Sequence, residues 1–276
     1  LTNQASSIRI ELYANVFEKG KQHVIDTVLF DIGGTLITQS HDDGRLLIFT
    51  RYARSLLGDA IPAGMTDGEL SALIRDGAET YKHWGEQTKV ELRPVQIWRD
   101  HILRSFDIPE DRIAVAAESL SFCNDYIRLI NKPREGLRKM LEELRAMGLK
   151  VGVVTNTISL TFADHILREF GVSDLIQDIV KSCDVGIRKP DAGIFDIAMR
   201  RIGSVKETTC YVGDTISRDI LGSRNAGLAM CIQIRNPSVA HRDKDFQGPD
   251  APKADHIIDS LTEIPGIIRE HNKAVR

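Results

Sequence analysis

Four short motifs carry the groups in this chain that can do chemistry on an oxyanion. The first, Phe30-Asp31-Ile32-Gly33-Gly34-Thr35-Leu36, sets a carboxylate directly after an apolar run, with glycines that let backbone N–H groups approach a ligand. The second, Val153-Val154-Thr155-Asn156, ends an apolar run in a hydroxyl and an amide, both able to donate to phosphate oxygens. In the third, Gly186-Ile187-Arg188-Lys189-Pro190-Asp191, Lys189 can act as a point charge on phosphate or on a nucleophilic carboxylate. The fourth, Val212-Gly213-Asp214-Thr215-Ile216-Ser217-Arg218-Asp219, offers two carboxylates five residues apart, hard oxygen ligands of the kind Mg²⁺ takes. Taken singly, each motif has a plainer reading. Asp31 can close an ordinary turn, Thr155, Asn156 or Thr157 can cap a helix, Lys189 can sit in a solvated basic loop before a helix capped by Asp191, and Asp219 can stabilise a helix start.

The elements around these motifs give them a common setting. Thr27-Val28-Leu29-Phe30 is short and wholly apolar but for Thr27, as a parallel strand buried on both faces requires. After Pro133 the pattern predicts a helix over 134–147 closed by Gly148, a strand over 150–155 and a helix over 162–170. It continues with a strand over 179–182, a helix over 192–201, a strand at 210–212, a helix over 217–225 and strands at 230–234 and 256–258. Alternation of this kind predicts an α/β fold, a Rossmann-like parallel sheet with helices on both faces. Each motif then falls just past the C-terminal end of a strand or in the loop that follows, where open α/β sheets bind ligands.

Between the first two motifs the periodicity changes. Leu46, Leu47, Phe49, Tyr52, Leu56 and Leu57 recur at helical spacing. So do Leu70, Leu73, Ile74 and Tyr81; Val95, Ile97, Trp98, Ile102 and Leu103; and the stretch Ile113 to Ile127. This predicts an all-α unit over residues 41–130, with the core formed by 25–40 and 131–276. Residues 1–24 form an N-terminal arm whose alternating patch at Ile8, Ile10 and Leu12 fits either a short strand or a packed segment.

Composition bounds the rest. The 276 residues are 42% hydrophobic and 27% charged, enough to bury a core without staples. A net charge of −3 provides no basic field for nucleic acid, and no apolar run approaches membrane-spanning length. Cys123, Cys183, Cys210 and Cys231 lie far apart with no C-x-x-C pair, which fits a reducing cytoplasm better than zinc or disulfides.

In order, strand context and position of the insert, the four motifs together resemble the haloacid-dehalogenase-like superfamily, in the subgroup whose helical cap lies between the first and second motifs. The resemblance covers residues from about 25 to 260. It implies that Asp31 attacks a phosphorus to form an aspartyl-phosphate, and that Mg²⁺ is held by Asp31, the Gly33 carbonyl, Asp214 and Asp219, directly or through water. Thr155 and Lys189 would hold the transferred group, with Gly34, Thr35 and Asn156 around it. The implied substrate is a small phosphorylated metabolite, and a homodimer is compatible with the cap and arm.

The departure is Gly33. Phosphatases of this superfamily usually carry there a second Asp, which acts as general acid and base, and a positioned acid is worth about 10²–10⁴-fold in rate. Three readings stay open: a phosphatase for good leaving groups or with an acid borrowed from the cap (His41, Asp42, Asp43 or His83); a phosphonate or other C–X hydrolase, with Lys82 or Lys89 as the amine; or a catalytically weak phosphate-binding module. Trp84 and Trp98 are expected in the cap's core, and Arg93 and Arg99 in solvent.

Overall fold

The computed structural model describes residues 23–246 and 248–276. Nearly all of the N-terminal arm, including Ile8, Ile10 and Leu12, lies outside the described residues.

Six parallel strands form the central sheet: β1 Thr27–Phe30, β4 Lys150–Thr155, β5 Asp178–Lys181, β6 Thr209–Gly213, β7 Met230–Ile234 and β8 His256–Ile258. Their order is β5-β4-β1-β6-β7-β8, so β1 lies centrally between β4 and β6. Side chains alternate between two apolar layers. Val28 and Phe30 of β1, Val151 and Val153 of β4, and Cys210 and Val212 of β6 face one layer. Leu29, Val154 and Tyr211 face the other. The first layer is closed by α5 (Leu137–Ala146), α6 (Phe162–Glu169) and α10 (Ile264–Val275). The second is closed by α8 (Ala192–Ile202), through Ile194, Phe195, Ala198 and Met199. This is the α/β architecture the alternation predicts, and burial on both faces explains the uninterrupted apolar runs.

The residues between the first two motifs form α1 (Asp43–Leu57), α2 (Asp67–Thr88), α3 (Pro94–Gln96), which runs into a π-helical turn Ile97–Ile102, and α4 (Glu110–Phe122), continued by a second π-turn Cys123–Ile127. Phe49, Leu57, Leu70, Ile97, Trp98, Ile113 and Leu120 give these helices a hydrophobic cluster of their own. Trp98 is fully buried, its indole N–H donating to Ser121 Oγ at 2.8 Å. Trp84 is half-buried and stacks on Tyr81. Arg93 and Arg99 are exposed and pair with Asp184 and Asp100.

Some elements differ from the pattern. Both connections between the helices and the sheet run through an antiparallel ribbon, β2 (Ile37–His41) with β3 (Leu129–Pro133), where no strand pair was expected. Its residues are mostly polar and half-exposed, and the partners lie some ninety positions apart, so local periodicity carries no signal. The helix predicted from 134 begins at Leu137, because Gly136 takes a left-handed φ of 75° and the Arg134 N–H donates to Leu36 O. The helix predicted over 217–225 is a π-turn Ile216–Ile220 followed by α9, Leu221–Asn225. α10 was not predicted. It buries Ile264 and Ile268, and its Asn272 side chain brackets the Ile25 peptide at 2.7 and 2.8 Å, pinning the chain just before β1.

Candidate active site

Sheet register fixes which motif residues can meet. Phe30 pairs with Val153 on one side and Val212 on the other. Asp31 therefore emerges at the same edge as Thr155 and Asp214, each two residues beyond its paired valine. Lys189 comes from the loop after the four-residue helix α7 (Ser182–Val185), beyond β5. Although it lies in a charged loop, it is only 3% exposed. Its Nζ donates to Asp31 Oδ1 at 2.8 Å, Asp219 Oδ1 at 2.6 Å and the Tyr211 hydroxyl at 2.7 Å. The Asn156 side chain clamps the Lys189 peptide from both ends, accepting from its N–H at 2.9 Å and donating to its carbonyl at 3.0 Å. These bonds make Asn156 a positioning residue for Lys189 here.

Asp31, Asp214 and Asp219 are buried, with carboxylate oxygens within 4.8 Å of one another. The two oxygens of Asp219 are fully engaged: Oδ1 accepts from Lys189 and from Tyr211 at 3.0 Å, and Oδ2 from the Thr215 N–H at 3.0 Å and hydroxyl at 2.6 Å. Asp214 is different. Its Oδ2 accepts from Asn236 Nδ2 at 2.7 Å, but its buried Oδ1 has no partner among the described residues. Burial, then repulsion from Asp219 and Asp31, pushes the Asp214 carboxyl up to about 7. Burial likewise raises Asp31, against the pull of Lys189. Asp219 is also desolvated, yet the charges of Lys189 and Arg218 and its hydrogen bonds hold it well below the usual carboxylate range.

The two glycines after Asp31 differ. Gly34 has a φ of 85°, and a Cβ there would fall 1.9 Å from Asp214 Oδ2, so only glycine lets the loop approach that carboxylate. Its N–H is committed to Ile37 O at 2.8 Å, and its carbonyl accepts from Arg134. Gly33 has no positive φ, and a Cβ there would meet only the Gln39 side chain, 3.0 Å from Oε1. Thr35 is fully buried with an unpartnered hydroxyl, and Thr155 is buried at the end of β4. His41, Asp42, Asp43 and His83 are all exposed, and Asp42 caps α1 through the Arg45 N–H at 2.8 Å. Lys82 pairs with Glu79 at 2.9 Å.

Sequence reasoning missed Tyr211, Asn236, Gln39 and the part played by Arg218. Tyr211 reads as one more core residue of β6, while its hydroxyl joins Lys189, Asp219 and the Val154 carbonyl. The signal available was a phenol one residue from a motif in a strand otherwise without large polar groups.

A central strand thus delivers a carboxylate to a lysine and two further carboxylates at the edge where open α/β sheets bind ligands. The profile described as haloacid dehalogenase-like hydrolase matches residues 25–227, and the chain belongs to that family. A glyceraldehyde 3-phosphate phosphatase of Methanopyrus kandleri is 28% identical over 90% of this chain and 98% of its own. The pyrophosphatase PpaX of Halalkalibacterium halodurans is 32% identical over 50% of this chain and 60% of its own. The crystal structure of a 2-haloacid dehalogenase from Pseudomonas syringae pv. Tomato shares the fold, with a TM-score of 0.60 at 21% identity, covering 90% of this chain and 99% of that one. Among the described residues no helix is long and apolar enough to cross a membrane.

Proposed function

We propose that this hydrolase cleaves phosphoesters of small metabolites with Mg²⁺, using Asp31 as a covalent nucleophile. The observation that carries the reading is the buried Asp31–Lys189 contact of 2.8 Å beside Asp214. The phosphatase-named relative of nearly equal length supports the substrate class.

The donor set fits a hard divalent cation. Among the described residues Asp214 Oδ1 is buried and unpartnered, and the one cation hydrogen-bonded to any of the three buried carboxylates is Lys189, with Arg218 beside them. Without another cation such a pocket repels phosphate; with one it attracts it. Asp31, Asp214 and the Gly33 carbonyl would hold the ion, which neutralises charge between nucleophile and phosphate. We assign Asp219, with all its acceptor positions filled, to holding Lys189 rather than to direct ligation. Lys189 keeps Asp31 aimed and faces the transferred phosphoryl group with a fixed positive charge. Thr155 and Thr35 supply hydroxyl donors, and Gly34 lets the loop close against Asp214. Residues 41–130 act as a cap over this edge, and the four free, buried cysteines support a cytoplasmic setting. Leu47, Ile48 and Tyr52, exposed on α1, offer a surface for the homodimer.

The test is turnover of p-nitrophenyl phosphate with and without Mg²⁺. Metal-dependent turnover that disappears in Asp31→Asn is expected. Absence of turnover alongside measurable phosphate binding would instead support a binding module, the reading that Gly33 keeps open.

A further inference from the structure

Gly33 leaves a gap, and the ribbon fills it. The Gln39 carboxamide occupies the space into which a side chain at 33 would project, with Oε1 3.0 Å and Cδ 3.8 Å from the position of that Cβ. The amide is fixed: Gln39 lies opposite Asn131 in the β2–β3 register and donates to its Oδ1 at 2.9 Å, while Asn131 Nδ2 donates to Tyr126 O at 3.0 Å. Amides neither give up nor take a proton near neutral pH. The titratable side chains proposed as substitutes, His41, Asp42, Asp43 and His83, are all exposed. The position that would protonate a leaving oxygen thus holds a group able to orient it but not to protonate it.

Two guanidinium groups lie in the field of the site's carboxylates. Arg218, on the π-turn beside Asp219, donates from Nε to Thr215 Oγ1 at 3.4 Å, and its charge faces Asp219, Asp214 and Asp31. Asp243 accepts from the N–H groups of Ile216 and Ser217 at 2.8 and 2.9 Å, which pins the segment Pro237–Phe246 over the start of that turn. Arg242, its neighbour in sequence, lies in the field of Asp214, Asp31 and Glu86 on α2. Arg242 is exposed to solvent, and among the described residues neither guanidinium forms an ion pair. A fixed amide with no proton to give at Gly33, together with two guanidinium groups in the field of Asp31 and Asp214, suits a leaving group that departs already charged.

We propose that the substrates are acyl phosphates or phosphoanhydrides, whose leaving oxygen departs as an anion, with Gln39 orienting the reacting oxygen and Arg218 and Arg242 holding the departing group. This rests on Asp31 being the nucleophile. In the first step an Asp31 oxygen bonds to phosphorus, and the bond to the leaving oxygen breaks with its electron pair remaining on that oxygen. A carboxylate or phosphate leaves, and no proton is needed. Water then attacks the same phosphorus while donating a hydrogen bond to Gln39 Oε1. The bond from phosphorus to Asp31 breaks, the carboxylate is restored, and both water hydrogens leave on the released phosphate. Alkyl phosphates would have to expel an alkoxide and are disfavoured by about 10²–10⁴-fold, the contribution of a positioned acid.

The experiment measures kcat/KM with Mg²⁺ for acetyl phosphate, pyrophosphate, p-nitrophenyl phosphate and glycerol 3-phosphate, in the wild type and in Gly33→Asp, Gln39→Glu and Arg242→Met. Expected are a steep dependence on leaving-group pKa in the wild type, and a flatter one in Gly33→Asp or Gln39→Glu, either of which supplies a carboxyl at the same place. Arg242→Met should lower the ratio of pyrophosphate to p-nitrophenyl phosphate turnover by about 10-fold, the loss of one charged hydrogen bond. The acetyl phosphate and pyrophosphate arms decide between the two substrate sources. Comparable, Asp31-dependent turnover of glycerol 3-phosphate and the activated substrates would overturn the inference while leaving Asp31 as nucleophile. Absence of Asp31-dependent turnover for all four compounds would remove the nucleophile reading itself, and this inference with it.

Discussion

Replacing Lys189 by methionine tests the centre of the site, because the change keeps the volume and removes only the charge and its bonds. Lys189 is 3% exposed and holds two carboxylates at 2.8 and 2.6 Å. Removing one partner of a buried ion pair costs about 3–5 kcal/mol, since the partner charges stay behind uncompensated. Here the cluster of Asp31, Asp214 and Asp219 would be left without its directly bonded cation. At about 2–4 °C per kcal/mol for a chain of this size, the melting temperature of the metal-free variant should fall by about 6–20 °C. Adding Asp219→Asn removes one of the stranded charges, so the double variant should lose less than the sum of the singles, by about 0.5–3 kcal/mol of coupling. Thermal and urea unfolding of the wild type, both singles and the double, without metal and at low ionic strength, gives the cycle. Strict additivity, or a Lys189→Met loss below about 1 kcal/mol, the worth of an exposed pair, would refute a buried charge network at this edge.

Asp214→Asn should weaken the rise in melting temperature produced by millimolar Mg²⁺, because it removes the unpartnered buried oxygen; an unchanged Mg²⁺ response would exclude Asp214 as a ligand. Gly34→Ala should destabilise the fold by more than 2 kcal/mol, roughly the cost of a left-handed residue plus the clash, and blunt the Mg²⁺ response, since its Cβ falls 1.9 Å from Asp214 Oδ2. Gly33→Ala meets only a side-chain tip and should stay within about 1 kcal/mol of the wild type; similar losses at both positions would contradict the different approaches of the two glycines. Burial raises the Asp125 carboxyl above its ordinary value, so the folded state holds that proton more tightly, and the stabilising contribution is complete at low pH and lost as pH rises through the folded-state value. Asp125→Asn removes this dependence, so its melting temperature relative to the wild type should climb from pH 4 to pH 7, and a flat difference would show that burial of Asp125 is not what sets the slope.

How much of this was legible follows from what each residue needs to be recognised. Asp31, Thr155 and Asp214 announce themselves because each closes an apolar run, and a parallel sheet aligns the ends of adjacent strands whatever the loops do. Lys189 was legible as a candidate but not as a buried one. Charged loops are ordinarily solvated, and Asn156, reached from another strand, holds the Lys189 backbone inward. The saturation of Asp219 was hidden for a related reason: its partners Lys189, Tyr211 and Thr215 come from three places in the chain. Gln39 was invisible, since its importance lies in the pairing of Ile37–His41 with Leu129–Pro133. Sequence periodicity reports burial within a segment and is silent on such distant pairing.

The helical unit takes part in setting the site through polar contacts more than through apolar ones. Glu91 accepts from the Tyr81 hydroxyl and from Ser182 Oγ at 2.8 Å, lies 3.5 Å from Arg188, and donates its N–H to Gly186 O at 3.2 Å. Val90 bridges Ile187, so the segment just before Lys189 is ordered by the helical unit on one side and by Asn156 on the other. Glu118 accepts from the Leu160 and Thr161 N–H groups and from two hydroxyls, and Asp125 accepts from the Thr157 hydroxyl and the Ile158 N–H. These contacts grip the loops after β4 and β5, the ones that follow Thr155 and lead to Lys189. The hydrogen bonds to these carboxylates are worth about 1.5–3 kcal/mol each. Apart from Phe122, shared by both, and Ile158 and Tyr126 at the boundary, the hydrophobic cluster of the helices is separate from the two layers of the sheet. The helical unit is therefore joined to the sheet mainly through these polar groups, which order the segments that follow Thr155 and lead to Lys189.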